Sequence, residues 1–233
     1  MKQITSSHVK MHFIKPLFTF LALASLSHAF PSATNPSTTT IAGITVPNTP
    51  LIKASQAYAR AHGDDMTYNH VMRTWLFGAN AINKNATLSN TVDSEAFAVA
   101  ALLHDLGWDN STNSTIISPD KRFEVDGAIA AKDFIEQHGN KNAWDDSRKQ
   151  LVWDAIALHS TPSISTYKQL ECALMTAGVL ADIDGPGGDP TGSLTWEEYD
   201  RIKDIFPRLD VGPNISKIIC GLAKTKPATT YGE

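Results

Sequence analysis

From Pro50 to Ala223 the apolar residues of this chain recur three and four positions apart, in segments closed by Gly or Pro. No period-two run of Val, Ile or Thr stands out as a strand, so the expectation is an all-α domain. In Pro50–His62, Leu51, Ile52, Ala54, Ala57, Tyr58 and Ala61 recur at helical spacing, with Pro in the first turn and Gly63 as the stop. Further helices are predicted over about Thr67–Asn83, from Asp93-Ser94 to His104, and over Phe123–His138 and Asp145–His159. Others are predicted from Tyr167 to about Ala181, over Thr195–Phe206 and over Val211–Ala223. Thr195 and Glu198 have the spacing of a capping box. The segment ending at Ala181 is nearly apolar from Ala173 onward, which predicts a central helix. Asp109–Pro119 reads as a polar loop, and Ile183–Pro190 carries too much Gly and Pro for regular structure.

The N-terminus reads differently. Lys10 and Lys15 flank an apolar run from Leu17 to Leu26, and Ser27-His28-Ala29 places small residues where a secretory leader is cut. The run is too short for a bilayer, which needs ~20 apolar residues. Residues 1–29 are therefore expected to be a signal peptide, with Met11 as an alternative start, residues 30–44 a Ser/Thr/Pro-rich linker, and residues 45–225 the folded domain. Cleavage after Ala29 leaves 204 of the 233 residues and removes three lysines and no acids, so the net charge moves from −4 to −7. Five histidines remain: His62, His70, His104, His138 and His159. The expected location is extracellular, with no membrane contact after cleavage. Sequons at Asn85, Asn110, Asn113 and Asn214 fit that route. Cys172 and Cys220 are either one disulfide or two separate buried thiols.

This acidic balance argues against a nucleic-acid binder, which normally shows a basic face. Two cysteines exclude a four-cysteine zinc site. No phosphate loop or Gly-x-Ser-x-Gly elbow occurs, so serine hydrolysis has no support. What the chain does carry is His104-Asp105 at the end of an apolar helix, in Ala-Leu-Leu-His-Asp-Leu-Gly. A carboxylate placed where an apolar face gives out is costly unless a cation or hydrogen bonds compensate it. His and Asp both ligate divalent zinc, iron or manganese. His70, early in a predicted helix, and Asp182, at the end of the most apolar one, complete an ordered set drawn from different helices, as in metal sites of helical bundles. Asp184 competes with Asp182, which is preferred because it lies on the helix side of the Gly-Pro break.

The order of these motifs resembles the HD-domain superfamily of metal-dependent hydrolases. The wider pattern is similar to its cyanamide hydratase-like branch. The resemblance rests on Val46–Leu51, Tyr68–Arg73, Leu102–Gly107, Arg122–Ala128, Ile156–His159, Asp182–Gly185 and Ile205–Leu209, covering roughly residues 45–210. It implies an all-α HD-domain helical bundle with one divalent metal ion, zinc first and iron or manganese as alternatives. The implied ligands are His70, His104, Asp105 and Asp182, and the implied reaction adds water to the nitrile of cyanamide. The secretory leader departs from that branch, whose members look cytosolic, and so bears on the substrate.

A nitrile carbon attacked by water leaves negative charge on nitrogen, which needs a proton. His159 is the candidate acid beside the catalytic Asp105; alternatively it is a helix-end histidine facing free carbonyls. Glu124 and Asp126 either support the site or form a solvated face. Asn69 either orients the first motif or caps its helix. Trp108 is a candidate pocket wall. His62 and His138, each before a glycine, read as helix-end residues. The leading expectation is a secreted hydratase or hydrolase acting on a small nitrile- or amide-like molecule. An HD phosphohydrolase, with Arg73, Lys121 and Arg122 near the motifs, and a non-catalytic metal- or ligand-binding protein are the alternatives. The expected partner is a small-molecule substrate, and a homo-oligomer is compatible with the sequence.

Overall fold

The computed structural model describes residues 37–230 apart from 110 and 112. The expected signal peptide, the first part of the linker and Asn110 lie outside the described residues. The described chain begins as a short antiparallel hairpin, β1 (Thr38–Ile41) with β2 (Ile44–Pro47), where the sequence suggested the end of a linker, the start of the domain and no strand. Its two-residue turn has positive φ at both Ala42 and Gly43, the turn chemistry that matches strand twist. Ile44 and Val46 are buried and the Ala42 carbonyl accepts from Arg201 Nε at 3.0 Å, so the hairpin is part of the folded unit.

Helices account for the rest of the regular structure, as an all-α bundle. α1 (Pro50–His62) has Thr49 as its cap, whose side chain accepts from Ile52 N at 3.2 Å. α2 (Asp65–Lys84) starts two residues before its expected start because Asp64 caps it, accepting from Thr67 N at 2.8 Å. α3 (Ala86–Thr91) was not foreseen; Asn85 caps it through Thr87 N and Leu88 N. α4 (Ser94–Leu103), α5 (Phe123–His138) and α6 (Asp146–Ala157) follow close to expectation. A single turn, α7 (Pro162–Ser165), precedes α8 (Leu170–Asp184), which runs three residues past its expected end. α9 (Trp196–Ile205) forms the expected capping box between Thr195 and Glu198, and α10 (Val211–Thr225) closes the fold.

The helix buried on every side is α4. Ala96 to Leu103 are all at most 1% exposed, as befits a helix apolar all round. α8 packs on α2, α4 and α6 but leaves Ile183 exposed, so it is central on one side only. Two close approaches set the site. A Cβ on Gly178 of α8 would come within 2.6 Å of the Thr74 carbonyl of α2, so these backbones touch and bring Asp182 opposite His70. A Cβ on Gly107 would come within 2.0 Å of the Phe123 carbonyl, so the turn leaving α4 lies against the start of α5. Any side chain at either position separates two site-bearing elements.

The disulfide alternative is corrected: Cys172 is buried in α8 and Cys220 is exposed on α10, and both are free thiols. Burial pushes the Cys172 thiol up to about 12. One thiol packs into the core and the other lies at the surface, a difference that sequence spacing alone does not reveal. Among the described residues no helix is long and apolar enough to cross a membrane.

Candidate metal centre

His70 lies one and a half turns into α2, His104 caps the C-terminus of α4, and Asp105 follows it in the turn toward Leu106–Trp108. All three are buried, and one ligand atom from each lies within 4.8 Å of the others. The two Nε2 atoms are 3.2 Å apart; Asp105 Oδ2 is 3.1 Å from that of His104 and 3.4 Å from that of His70.

The ring protons can be assigned from their partners. His104 Nδ1 donates to the Ala101 carbonyl at 2.9 Å and His70 Nδ1 donates to Asp182 Oδ2 at 2.6 Å. A carbonyl or ionised carboxylate only accepts, so in the neutral rings both protons sit on Nδ1 and both Nε2 lone pairs face inward. Neither oxygen of Asp105 has a hydrogen-bond partner. Three electron-rich groups therefore converge with no donor between them, an arrangement that is costly in a low-dielectric interior unless a cation sits there. Burial alone would raise the Asp105 carboxyl; His104, then His70 and His159, would hold it below its ordinary value only with their rings protonated. Two imidazole nitrogens and a carboxylate suit a divalent ion such as zinc, and three protein ligands leave a position open for water or substrate.

Asp182, the fourth expected ligand, stands outside this convergence in the metal-free structure. Arg73 Nε donates to Oδ1 at 2.5 Å and its terminal nitrogen to Oδ2 at 2.8 Å, and the same Oδ2 accepts from His70 Nδ1. Asp182 is thus behind the His70 ring, on the side away from Nε2. Burial alone would raise its carboxyl; the Arg73 and His70 hydrogen bonds overcome that and hold it well below the usual carboxylate range. Asp184, its competitor, is exposed.

His159 comes from the turn after α6. Its Nδ1 donates to the Ile156 carbonyl at 2.7 Å, leaving Nε2 as an acceptor 3.8 Å from Asp105 Oδ1. Burial, then the neighbouring His104, push its pKa down to about 4. At neutral pH it is an uncharged acceptor, so a proton must first arrive at Nε2 before it can act as the expected acid. The cause is burial on a short turn, which the sequence pattern placed at an open helix end.

Trp108 stacks on His70 with ring centroids 6.1 Å apart and touches Phe123, which in turn meets His159 edge-on. These rings form an apolar wall beside the centre. Glu124 is buried near His159, accepting from Arg122 at 2.7 Å and from Ser160 Oγ at 2.5 Å. Asp126, two residues on along the helix, points elsewhere: it accepts from Ser118 N and from the buried Lys226 at 2.8 Å. It lines a cavity of about 290 Å³ that contains none of the three converging residues. Asn69 also turns away, donating to the Pro207 carbonyl at 3.0 Å. The void that touches Asp105 is only about 10 Å³.

Three partnerships were missed from sequence. Arg73 lies three residues after His70, on the same helix face, and a buried Asp182 demands such a cation. His62, read as a plain helix-end residue, meets Asp109 Oδ2 at 3.0 Å through Nδ1. Lys226 and Asp126 are a buried pair with no local sequence signal.

The HD domain family model matches residues 67–189, more than half of the chain. This chain belongs to the HD-domain family. In this HD protein the matched span opens three residues before His70 and closes beyond Asp182, so it contains every residue of the centre and its supports. No curated protein matches the chain.

Proposed function

We propose that this HD protein is a secreted metal-dependent hydratase or hydrolase that adds water to a small nitrile- or amide-like molecule, in the manner of the cyanamide hydratase-like branch. The observation that carries the metal reading is the convergence of His70 Nε2, His104 Nε2 and the two unpartnered oxygens of Asp105. A divalent ion held there would supply Lewis acidity and bring the pKa of a water from 15.7 toward about 7. Zinc suits two imidazoles and one carboxylate, with iron or manganese as the next choices.

The chain's own residues supply the remainder. His159 Nε2, fixed as an acceptor by the Ile156 carbonyl, receives a proton from water and returns it to the substrate nitrogen. Asp105 Oδ1 faces that nitrogen and stabilises the imidazolium that forms. Trp108 and Phe123 keep bulk water from the reacting atoms. Glu124 lies within electrostatic range of His159 and, held by Arg122 and Ser160, favours the protonated ring.

A small substrate is supported by the burial of His70, His104, Asp105 and His159. A phosphate substrate has less support: Arg73 is committed to Asp182, Arg122 to Glu124 and Lys121 to Asp120. Secretion is supported by the leader-like residues 1–29 and by sequons such as Asn85 and Asn113, which are exposed. At Asn214 the amide nitrogen donates to the Leu209 and Asp210 carbonyls. Incubation of the metal-loaded protein with cyanamide, a simple amide and a generic phosphodiester tests the reading. Turnover of cyanamide or the amide supports it; turnover of the diester alone contradicts it.

A further inference from the structure

Arg73 is fully buried and its guanidinium reaches two places. One edge of its guanidinium holds both oxygens of Asp182. The remaining terminal nitrogen donates to the Phe206 and Pro207 carbonyls, each at 2.9 Å. Asn69, one residue before His70, donates to the same Pro207 carbonyl. The turn after α9 is therefore tied to the helix that carries His70, and the chain of contacts runs from Phe206-Pro207 through Arg73 and Asp182 to His70 Nδ1.

We propose that Arg73 is a positioning residue of the metal centre: it orients Asp182, Asp182 fixes the proton and ring plane of His70, and the turn at Phe206–Pro207 holds Arg73 in place. The inference rests on the metal reading above and extends it to residues that touch neither ion nor substrate. A carboxylate on Nδ1–H sets the tautomer and raises the basicity of Nε2, and loss of such a partner typically costs 10–100-fold in metal affinity. Only a planar fork can meet two carboxylate oxygens and two carbonyls at once; a lysine ammonium in the same place has three donors in the wrong geometry. Asp182 cannot act alone, because an ionised carboxylate buried without a cation is strongly unfavourable.

The test compares the protein with Arg73→Lys and Asp182→Asn. Zinc affinity is measured by chelator competition, and the visible spectrum of the cobalt-loaded forms reports the coordination shell. The expected result is zinc binding weakened about 10–100-fold in both variants, with the cobalt bands of Asp182→Asn keeping the intensity of the parent. Zinc affinity within twofold of the parent in Arg73→Lys overturns the proposal. So does a change of coordination number in Asp182→Asn, which makes Asp182 a direct ligand. Should Arg73→Lys fail to fold, histidine nitrogen NMR of the parent decides: His70 is expected protonated at Nδ1, and protonation at Nε2 overturns the relay. A parent protein that binds no zinc, cobalt, iron or manganese contradicts the metal reading itself, a result distinct from altered affinity in the variants.

Discussion

His159 Nε2 lies 3.8 Å from Asp105 Oδ1, and the Ile156 carbonyl on the opposite side of the ring takes the Nδ1 proton. The imidazole is thereby set as an acceptor facing a carboxylate oxygen that no other group bonds. His159→Gln preserves the ring's volume approximately and removes the basic nitrogen. It is expected to lower the rate of water addition by about 10²–10⁴-fold while leaving bound metal unchanged. Steady-state kinetics beside metal analysis of the same sample checks both halves.

The same histidine makes a pH statement. Its folded value of about 4 is below the ordinary 6.5, so the unfolded chain binds a proton that the native state refuses. Stability therefore falls as pH drops from about 6.5 toward about 4, and His159→Gln flattens that part of the curve. Urea unfolding at a series of pH values in the metal-free protein measures the difference in slope.

Gly107→Ala places a methyl 2.0 Å from the Phe123 carbonyl, a backbone atom that cannot yield without moving α5. Destabilisation at or above about 1–3 kcal/mol is expected, with weakened metal binding because the turn carrying Asp105 shifts. Thermal unfolding with and without zinc checks it.

Lys226 is buried with its ammonium on Asp126 Oδ2 and the Lys121 carbonyl, each at 2.8 Å. Lys226→Met leaves Asp126 buried without its cation and is expected to cost about 3–5 kcal/mol. Because this pair lies away from the metal centre, zinc affinity of the folded fraction stays at the parent value.

Alkylation distinguishes the two thiols. Cys220 is exposed and is expected to react in the native protein, whereas Cys172 reacts only after unfolding. Two labels in the denatured, unreduced protein confirm free thiols, and none would restore the disulfide.

The longer helices were legible because their signals are local. Thr49 with Pro50, Asp93 before Ala96, and Thr195 with Glu198 each satisfy their own helix end. The hairpin was not, because Thr-Thr-Thr-Ile and Ile-Thr-Val-Pro are too short to show a period and sit in a stretch whose Ser, Thr and Pro resemble a linker. In the site, His70, His104 and Asp105 were readable from their place at the ends of apolar faces. Asp182 was found as a buried acid, but its role depends on Arg73, more than a hundred residues away in sequence. Glu124 and Asp126 looked alike two positions apart on a helix; that spacing turns them to different sides, one toward His159 and one toward Lys226.

The central claim is that His70, His104 and Asp105 hold a divalent ion. Elemental analysis of the purified protein and of Asp105→Ala, each after dialysis against zinc, tests it most directly. One equivalent of metal in the parent and its loss from Asp105→Ala is the predicted result. A parent free of metal, or a variant that retains a full equivalent, contradicts it.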